Sequence, residues 1–242
     1  MVSIIIPVYR LLKEINPRYF YKKRFSLKDT IGSIIKNVKC EYELIVVVNG
    51  IEDHHLADYI KSNKRIHKYA LLSSNVGVPR AWNIGAHLAE GQFLCFCNDD
   101  VDIGLGGMEK LVEVLNSSDI VGEVGPAGGK WGKAGSGKRV GLKTIEEADE
   151  ISGFFFIIKK NVYEEVGGFD NTYTPAGCEE IDMSFKIRDR GYKCLVVPHL
   201  PIVHYGRHGI SSIKTKIKYF NKEIDTGELD KVNKAYFLSK WH

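Results

Sequence analysis

Three short groups of residues carry side chains that could do chemistry, and the clearest is an acidic triplet. Asn98, Asp99 and Asp100 directly follow the apolar run FLCFC, and Asp102 lies just beyond them. Carboxylates are the ligands that Mg²⁺ and Mn²⁺ prefer, commonly together with phosphate oxygens of a bound substrate. Asn and Asp also end strands in ordinary turns, so the triplet alone leaves both interpretations open.

A second group is the sequence CEEID at residues 178–182. Glu179 and Glu180 are adjacent, and a neighbouring negative charge raises the proton affinity of a carboxylate, which suits a general base near neutral pH. Acidic residues are also favoured at a helix start, because they interact with the positive end of the helix dipole. The pattern therefore predicts a helix start and is compatible with a catalytic base.

The third group, HYGRHG at residues 204–209, follows an apolar segment at 200–203. The imidazole of His204 can ligate a divalent metal, and the guanidinium of Arg207 can hold a phosphate through two hydrogen bonds. Histidines in such segments are more often surface or packing residues. By itself this group is therefore also ambiguous.

Alternating strand and helix patterns indicate the fold that must position these groups. Continuous apolar runs at residues 2–8 and 43–48 are typical of parallel strands buried on both faces. The predicted order is strand 2–8, a helix after Ser26, strand 43–48, helix 53–61, strand 67–72, helix 79–88 and strand 92–97, then strand 153–158, a short helix after Asn161 and helix 179–190. This order predicts an α/β fold with a mostly parallel sheet, in which ligands bind at the carboxyl ends of the strands.

Composition argues against several classes of protein. The chain has 242 residues and a net charge of +4, which provides no continuous basic surface for nucleic acid. Five cysteines without a C-x-x-C pair argue against a disulfide framework or a zinc ribbon, and favour a reducing compartment. The sequence contains no run of about 18 apolar residues and no signal-peptide pattern. We therefore expect a cytoplasmic protein.

Glycine is concentrated in one segment, since eight of the 24 glycines lie within residues 122–141. Such segments are typical of loops, and the position of this one predicts a mobile lid that orders when ligand binds. Residues 132–138 fit the pattern G-x-x-x-x-G-K, but Arg139 stands where a phosphate-binding loop requires Ser or Thr. The sequence therefore does not support a nucleotide triphosphatase.

The C-terminal part of the chain is basic, with 12 Lys and Arg against 5 Asp and Glu in residues 186–242. The spacing of Ile213, Ile217 and Phe220 predicts a helix surrounded by lysines. That helix is either solvated or attracted to anionic lipid, so a peripheral contact with the inner face of a membrane stays open.

Taken in order, these segments resemble the family 2 glycosyltransferases, which have the GT-A fold. The likeness covers residues 2 to about 212. The matching segments are VSIIIPVY at 2–9, ELIVVVNG at 43–50, NVG through NIG at 75–85, EG at 90–91, NDD at 98–100, SGFFFII at 152–158, VGGFD at 166–170, EEID through RGY at 179–192 and HYGRHGIS at 204–211. The resemblance implies a single GT-A domain at 1–212, with a nucleotide-binding half at 1–100 and an acceptor-binding half at 101–212, followed by a basic helical extension at 213–242.

The resemblance also implies roles for individual residues. Those expected to bind a nucleotide sugar are Pro7, Val8, Tyr9, Asn49, Asn75, Arg80, Asn98 and Asp99. Asp100 and His204 would hold Mn²⁺ or Mg²⁺, with Asp99 or Asp102 nearby, and Gly153 and Asp182 would contact the acceptor. Glu180 would be the general base, with Glu179 as the alternative.

The implied reaction is an inverting transfer of a hexose or deoxyhexose. The donor would be linked to UDP, dTDP or GDP, and the acceptor would be a glycan or a lipid-linked acceptor in bacterial or archaeal surface polysaccharide or glycan assembly. Val48 stands where the family usually has an Asp that contacts the base or ribose, so the identity of the base stays open. Asn98 replaces the first acid of the metal motif, which places more of the metal binding on Asp100.

Two other functions compete with this interpretation. A sugar-phosphate nucleotidyltransferase would require a glycine-rich loop after the first strand, and residues 9–25 contain no glycine. A non-catalytic protein that binds a nucleotide or a glycan remains the alternative. The acids at positions 99, 100, 179, 180 and 182 argue against it, because binding alone does not require them.

Overall fold

The computed structural model describes residues 1–11, 25–50, 53–131, 137–206 and 216–241. Strands and helices alternate through the first hundred residues, as predicted. These elements are β1 Val2–Val8, α1 Leu27–Asn37, β2 Tyr42–Asn49, α2 His54–Ser62, β3 Lys68–Leu72, α3 Val78–Leu88 and β4 Phe93–Cys97.

The described residues after β4 add further strands, most of them short, and four α-helices. The elements are β5 Val101–Ile103, α4 Gly107–Leu115, β6 Val121–Gly125, β7 Gly128–Trp131, β8 Gly137–Arg139, β9 Glu146–Ala148, β10 Glu150–Ile151, β11 Phe155–Lys159, α5 Lys160–Glu165, α6 Glu179–Asp189, β12 Lys193–Val196, β13 Ile202–His204, β14 Lys216–Tyr219, β15 Lys222–Asp225 and α7 Thr226–Trp241. Within the described ranges, no helix is both long and apolar enough to cross a membrane.

An eight-stranded sheet forms the centre of the molecule, in the order β3-β2-β1-β4-β11-β6-β12-β9. The strands β1 to β4 are mutually parallel, and β11 runs antiparallel to both β4 and β6. β12 is parallel to β6, and the edge strand β9 is antiparallel to β12. The predicted α/β fold with a mostly parallel sheet is therefore confirmed.

Helices cover both faces of the sheet. Successive side chains of a strand point to opposite faces, so each buried strand contributes to two cores. In β1, Ile4 and Ile6 pack in a cluster with residues of α1, α2 and α4, whereas Ile5 packs in a second cluster with residues of α3 and α6. The second cluster is rich in aromatic rings, including Trp82, which contacts Phe96 edge-on. These two cores hold the strand ends rigidly in place.

The glycine-rich segment is structured over most of its length, which corrects the prediction of one long loop at 122–141. Residues 121–125 form the buried strand β6, and residues 128–131 and 137–139 form β7 and β8. Glycine occurs here because neighbouring segments of the protein pack closely. A Cβ added to Gly125 would lie 2.3 Å from the Ile151 Cγ2 atom. Residues 132–136 of the predicted lid at 122–141 lie outside the described residues.

The predicted helix that begins at Ile213 is wrong for the residues that the structure describes. Lys216–Tyr219 is a strand that pairs antiparallel with Lys222–Asp225, and only α7 beyond them is helical. Strand pairing satisfies the backbone of both segments, and spacing alone did not distinguish this hairpin from a helix. The lysine-rich helix on which the predicted lipid contact rested is therefore absent from residues 216–225.

Substituting Gly125 with alanine should destabilise the fold, because the added methyl group cannot be placed without moving Ile151. We expect the free energy of unfolding to fall by about 1–3 kcal/mol in urea denaturation. Gly32 is a matched control, since it lies within α1 and an added Cβ would meet no atom within 4 Å. Gly32→Ala should leave stability unchanged or raise it by up to about 1 kcal/mol. Equal effects of the two substitutions would contradict the close-packing explanation.

Candidate active site

The acidic triplet and the histidine segment meet at the carboxyl end of β4. Residues Asn98 to Asp100 follow β4, and β5 then pairs antiparallel with β13, which places His204 opposite Val101. The Nε2 atom of His204 lies 3.2 Å from Asp100 Oδ1 and 3.4 Å from Asn98 Nδ2. The structure thus joins two predicted metal ligands that are separated by about a hundred residues in the sequence.

Phe154 fixes this corner of the site. Its ring stacks on the imidazole of His204, with centroids 4.7 Å apart and planes within 5°. Its backbone oxygen accepts a hydrogen bond of 2.9 Å from the Asn98 amide, and the Tyr205 amide donates to the Asp100 carbonyl at 3.0 Å. The orientation of the acid and the imidazole is therefore set by packing and by backbone contacts.

These residues fit a divalent metal only together with a substrate. Among the described residues, no group of three or more His, Cys, Asp or Glu side chains is arranged to hold a metal ion. Asp100 is almost buried, and about 30% of the His204 side chain is exposed. One carboxylate and one imidazole leave positions for phosphate oxygens and water, which is the usual composition of Mg²⁺ sites that bind nucleotides.

Several residues predicted to bind the nucleotide use their polar groups within the protein. Asn49 is only 6% exposed, and its Oδ1 atom accepts from the Val76 amide at 2.8 Å. Asn75 Nδ2 donates to the carbonyl of Lys218 in the β14–β15 hairpin at 3.0 Å. Asn49 and Asn75 therefore act at least as structural residues, which fasten the segment that enters α3.

Arg80 and the end of β1 are among the other predicted nucleotide-sugar-binding features. The Arg80 guanidinium donates to the Asn171 carbonyl at 2.9 Å and to the Thr174 hydroxyl. It also lies 5.6 Å from the ring centroid of Phe220 in the hairpin. Pro7 and Tyr9 are half-buried at the end of β1, whereas Val8 is buried, so Pro7 and Tyr9 offer more surface to a ligand there than Val8 does.

The two adjacent acids of the second motif lie at the start of α6, as predicted. Glu179 is 5% exposed and accepts a hydrogen bond from the Gly177 amide. Glu180 is partly exposed and packs directly against Gly153, where an added Cβ would lie 2.9 Å from Glu180 Cγ. Burial raises the pKa of both carboxyls, and the charge of Glu180 raises that of Glu179 further.

Two carboxyl groups that the sequence did not single out lie near this pair. Glu123, on β6, is fully buried, and its Oε2 atom accepts from the Ser184 hydroxyl at 2.7 Å. Burial raises its pKa to about 8. Burial and the charge of Glu180 raise the pKa of Glu150 to about 7. In the sequence, Glu123 is the charged residue in the otherwise apolar segment VGEVG at 121–125, and this pattern could have indicated a buried carboxyl.

Asp182 does not reach the cleft, which corrects its predicted role in acceptor binding. The residue is fully buried, and its carboxylate accepts from the Tyr173 hydroxyl at 3.1 Å and from Trp241 Nε1 at 2.8 Å. The Lys240 ammonium lies 2.9 Å from the same carboxylate. Asp182 therefore anchors the C-terminal helix α7 to α6.

An open cleft of about 640 Å³ adjoins His204. Arg139, Ser152, Phe154, His199 and Tyr205 are among the residues that line it. A second hollow of about 480 Å³ lies at the amino end of β2, near Cys40 and His67, and none of the predicted site residues lines it. His204 is thus the predicted site residue that lines the larger cleft, and Ser152 and Phe154 line it on either side of Gly153.

A sequence model of one enzyme family covers most of the elements described above. The model of glycosyl transferase family 2 matches residues 3–175, well over half of the chain. The chain belongs to glycosyl transferase family 2. The matched region contains β1 to β4, the acidic triplet and Gly153, and it ends before the acids of α6.

Solved structures show that this family 2 glycosyltransferase has the GT-A fold. GalNAc-T7, solved with UDP, GalNAc and Mn²⁺, is similar with a TM-score of 0.68 and 22% identity, over 84% of this chain and 43% of that protein. The mannosyltransferase PcManGT from Pyrobaculum calidifontis, in complex with GDP-Man and Mn²⁺, has a TM-score of 0.60 and 16% identity, over 81% and 54% of the two chains. Residues 1–349 of TarS from S. aureus give a TM-score of 0.57 at 17% identity, over 81% and 57%.

A curated relative adds little about function. The uncharacterized protein y4gI from Sinorhizobium fredii (strain NBRC 101917 / NGR234) is 23% identical over 255 residues, which correspond to 93% of this chain. The chain spans only about a quarter of that protein, since the match covers 27% of its length. It likewise spans about half of the two most similar solved chains described above.

The carboxyl of Glu123 makes stability depend on pH in a direction that can be tested. Its pKa is about 8 in the folded protein against an ordinary value of 4.5, so the folded state binds an extra proton between these values. Its contribution is therefore complete below about pH 4.5 and is lost as the pH rises towards 8. Glu123→Gln removes this titration, so the stability of the variant should fall less between pH 5.5 and 8 than that of the wild type.

Urea denaturation of both proteins at several pH values measures this difference directly. We expect the two stability curves to diverge by an amount on the order of 1 kcal/mol or more over this interval. Glu164→Gln, at an exposed position of α5, should reproduce the wild-type curve. Parallel curves for Glu123→Gln and the wild type would show that the Glu123 carboxyl does not titrate in this range.

Proposed function

We propose that this family 2 glycosyltransferase moves a sugar from a nucleotide-diphosphate donor to an acceptor hydroxyl, with inversion at the anomeric carbon. The observation that carries the proposal is that two consecutive residues, Gly153 and Phe154, contact the candidate base and the candidate metal ligand respectively. Gly153 packs against Glu180, and Phe154 stacks on His204. One short segment thus holds a candidate base beside a candidate metal site, which is the arrangement that a displacement at a nucleotide sugar requires.

The donor assignment rests on the metal site and on the related structures. Mn²⁺ accompanies UDP in the GalNAc-T7 structure and GDP-Man in the mannosyltransferase structure. In this chain, Asp100 and His204 would hold Mn²⁺ or Mg²⁺, and the ends of β1 and β2 would face the nucleoside. We propose a UDP- or GDP-linked donor, with dTDP as a further possibility because Val48 provides no carboxylate to select the base.

The chemistry requires one base and charge stabilisation of the leaving group. A bound divalent metal would neutralise negative charge on the departing nucleoside diphosphate. Glu180 would take the proton from the acceptor hydroxyl while the acceptor oxygen forms a bond to the anomeric carbon. The bond from that carbon to the diphosphate oxygen breaks on the opposite face, so a single displacement inverts the configuration. The raised pKa of Glu180 suits proton uptake near neutral pH.

The cleft beside His204 supports a glycan as the acceptor. Phe154 and Tyr205 present aromatic surface there, and Ser152, Arg139 and His199 provide polar groups that can bind hydroxyls. We propose that the transferred sugar is a hexose or deoxyhexose and that the acceptor belongs to a surface polysaccharide, assembled in the cytoplasm. A protein that binds a nucleotide sugar without transferring it is the competing function.

Removing the metal ligand should abolish metal-dependent nucleotide binding. We expect wild-type protein to bind UDP or GDP more tightly with Mn²⁺ than with EDTA in isothermal titration calorimetry. Asp100→Asn should lose this difference, because the amide is a weaker ligand for a divalent cation. Asp58→Asn, at an exposed position of α2, is the matched control and should behave like the wild type. Retention of the Mn²⁺ effect in Asp100→Asn would contradict the metal assignment.

Removing the base should abolish turnover without affecting binding. The protein is incubated with Mn²⁺ and a panel of UDP-, GDP- and dTDP-linked hexoses. Hydrolysis of one of them, in which water replaces the acceptor, releases its nucleotide and so identifies the donor. Glu180→Gln should then lower the rate of release by roughly 10²- to 10⁴-fold, with nucleotide affinity unchanged. Glu164→Gln serves as the control. Near-wild-type turnover of folded Glu180→Gln would refute the base assignment, and no release from any donor by wild-type protein would favour the binding function.

A further inference from the structure

The C-terminal helix α7 docks against the elements that carry the candidate base. Leu229, Asn233 and Phe237 are four residues apart, so they share one face of α7, and all three are buried. The ring of Phe237 contacts Phe185 of α6 at a centroid distance of 5.0 Å and Trp131 of β7 at 5.1 Å. Apolar burial therefore holds α7 in a fixed position relative to α6.

Asn233 is the polar residue at the centre of this buried face. Its side-chain amide donates to three backbone carbonyls, of Tyr173 at 3.2 Å, Ala176 at 2.8 Å and Gly177 at 2.9 Å. The residue is only 3% exposed, so loss of the amide would leave these carbonyls without that donor in a buried environment. Asn233 thus organises residues 173–178, which we call the base loop because it leads directly into Glu179 and Glu180.

The opposite side of the base loop contacts the donor-binding half. The Val78 amide, at the start of α3, donates to the Pro175 carbonyl at 2.7 Å. Arg80 of α3 donates to the Thr174 hydroxyl. Within the loop, the Gly177 amide donates to the Glu179 carboxylate. The base loop is therefore held between α3 on one side and α7 on the other.

Charged groups fasten the last turn of α7 to the same region. The Lys240 ammonium lies 2.9 Å from both Asp170 and Asp182, and the Tyr236 hydroxyl donates to Asp170 at 3.0 Å. Burial disfavours the charged form of Lys240, but its hydrogen bonds with the two carboxylates outweigh this effect and raise its pKa. Asp182 lies in the same helical turn as Glu180, so this contact also reaches the start of α6.

We propose that Asn233 is a positioning residue for the transfer reaction, which fixes the base loop and thereby the orientation of Glu180 towards the acceptor. The inference rests on the proposed function, because it takes Glu180 as the base. It adds a role for a helix beyond the family match, which ends at residue 175. Asn233 acts through the loop backbone, because its amide donates to the carbonyls of Tyr173, Ala176 and Gly177.

Asn233→Ala should lower kcat for Mn²⁺-dependent nucleotide release from the donor found in the panel by about tenfold or more, because small misplacements of a base are costly. The affinity for the Mn²⁺-nucleotide complex should change less than twofold, since the metal site lies on other elements. Val232→Ala, at an exposed position next to Asn233 on α7, is the matched control and should retain wild-type kcat.

The pH dependence of kcat/KM separates positioning from a loss of folded protein. Glu180 shares its surroundings with Glu179 and Cys178 on its own segment, Glu123 on β6 and Glu150 on β10, and burial raises its pKa. A loosened base loop admits water, lowers this pKa and moves the acid limb of the profile to lower pH. A smaller folded fraction would lower the rate at every pH without moving that limb.

The outcomes distinguish the inference from the function on which it rests. Wild-type kcat and an unchanged acid limb in folded Asn233→Ala, together with inactive Glu180→Gln, would refute the positioning role and leave the proposed function intact. Active Glu180→Gln would refute the base assignment itself. If Asn233→Ala does not fold, Lys240→Met provides the test, because it loosens the contact with Asp182, and we expect a smaller change of kcat and acid limb in the same direction.

Discussion

The antiparallel pairing of β5 with β13 is the interaction on which the candidate active site depends. It is a short ladder, in which His204 lies opposite Val101. Without it, the acidic triplet would end a strand with no imidazole beside it. Because β5 follows the triplet directly and α1 packs against β5, the pairing is tied to the rigid sheet. The site therefore takes its geometry from backbone register, and side-chain packing by Phe154 refines it.

A second constraint is the burial of carboxyl groups around Glu180, the proposed base. Glu123, Glu150 and Glu179 are all partly or fully removed from water, and such groups favour the neutral form unless a cation compensates them. The hydroxyl of Ser184, one turn after Glu180, makes a hydrogen bond that keeps Glu123 in place. The environment around Glu180, the proposed base, is therefore unfavourable for negative charge, which suits a group that has to take up a proton.

Local patterns predicted the parts of the fold that depend on local physics. The apolar runs of β1 and β2 and the acids at the start of α6 were recognisable because strand burial and helix dipoles act over a few residues. The glycine-rich segment was misinterpreted, since Gly125 is required by the proximity of Ile151, a contact between distant segments that periodicity does not reveal. The same limit applies to Asp182, whose partners Lys240 and Trp241 are contributed by α7.

Helix α7 lies beyond the family-matched region, which ends at residue 175, and it supplies a hydrogen-bond donor to residues 173–177. Residues 173–178 run between α3 and α6, which supply donors to the carbonyls of Pro175 and Cys178. The carbonyls of Tyr173, Ala176 and Gly177 accept from Asn233 of α7 instead, and buried carbonyls require donors. A side-chain amide is suited to this task, because its N–H groups can be shared among Tyr173, Ala176 and Gly177 without adding charge near the acids. A lysine at position 233 would donate as well, but its charge would stabilise the ionised form of Glu179 and Glu180 and so lower the proton affinity of the proposed base. The neutral donor is therefore the one compatible with both the loop and the proposed base.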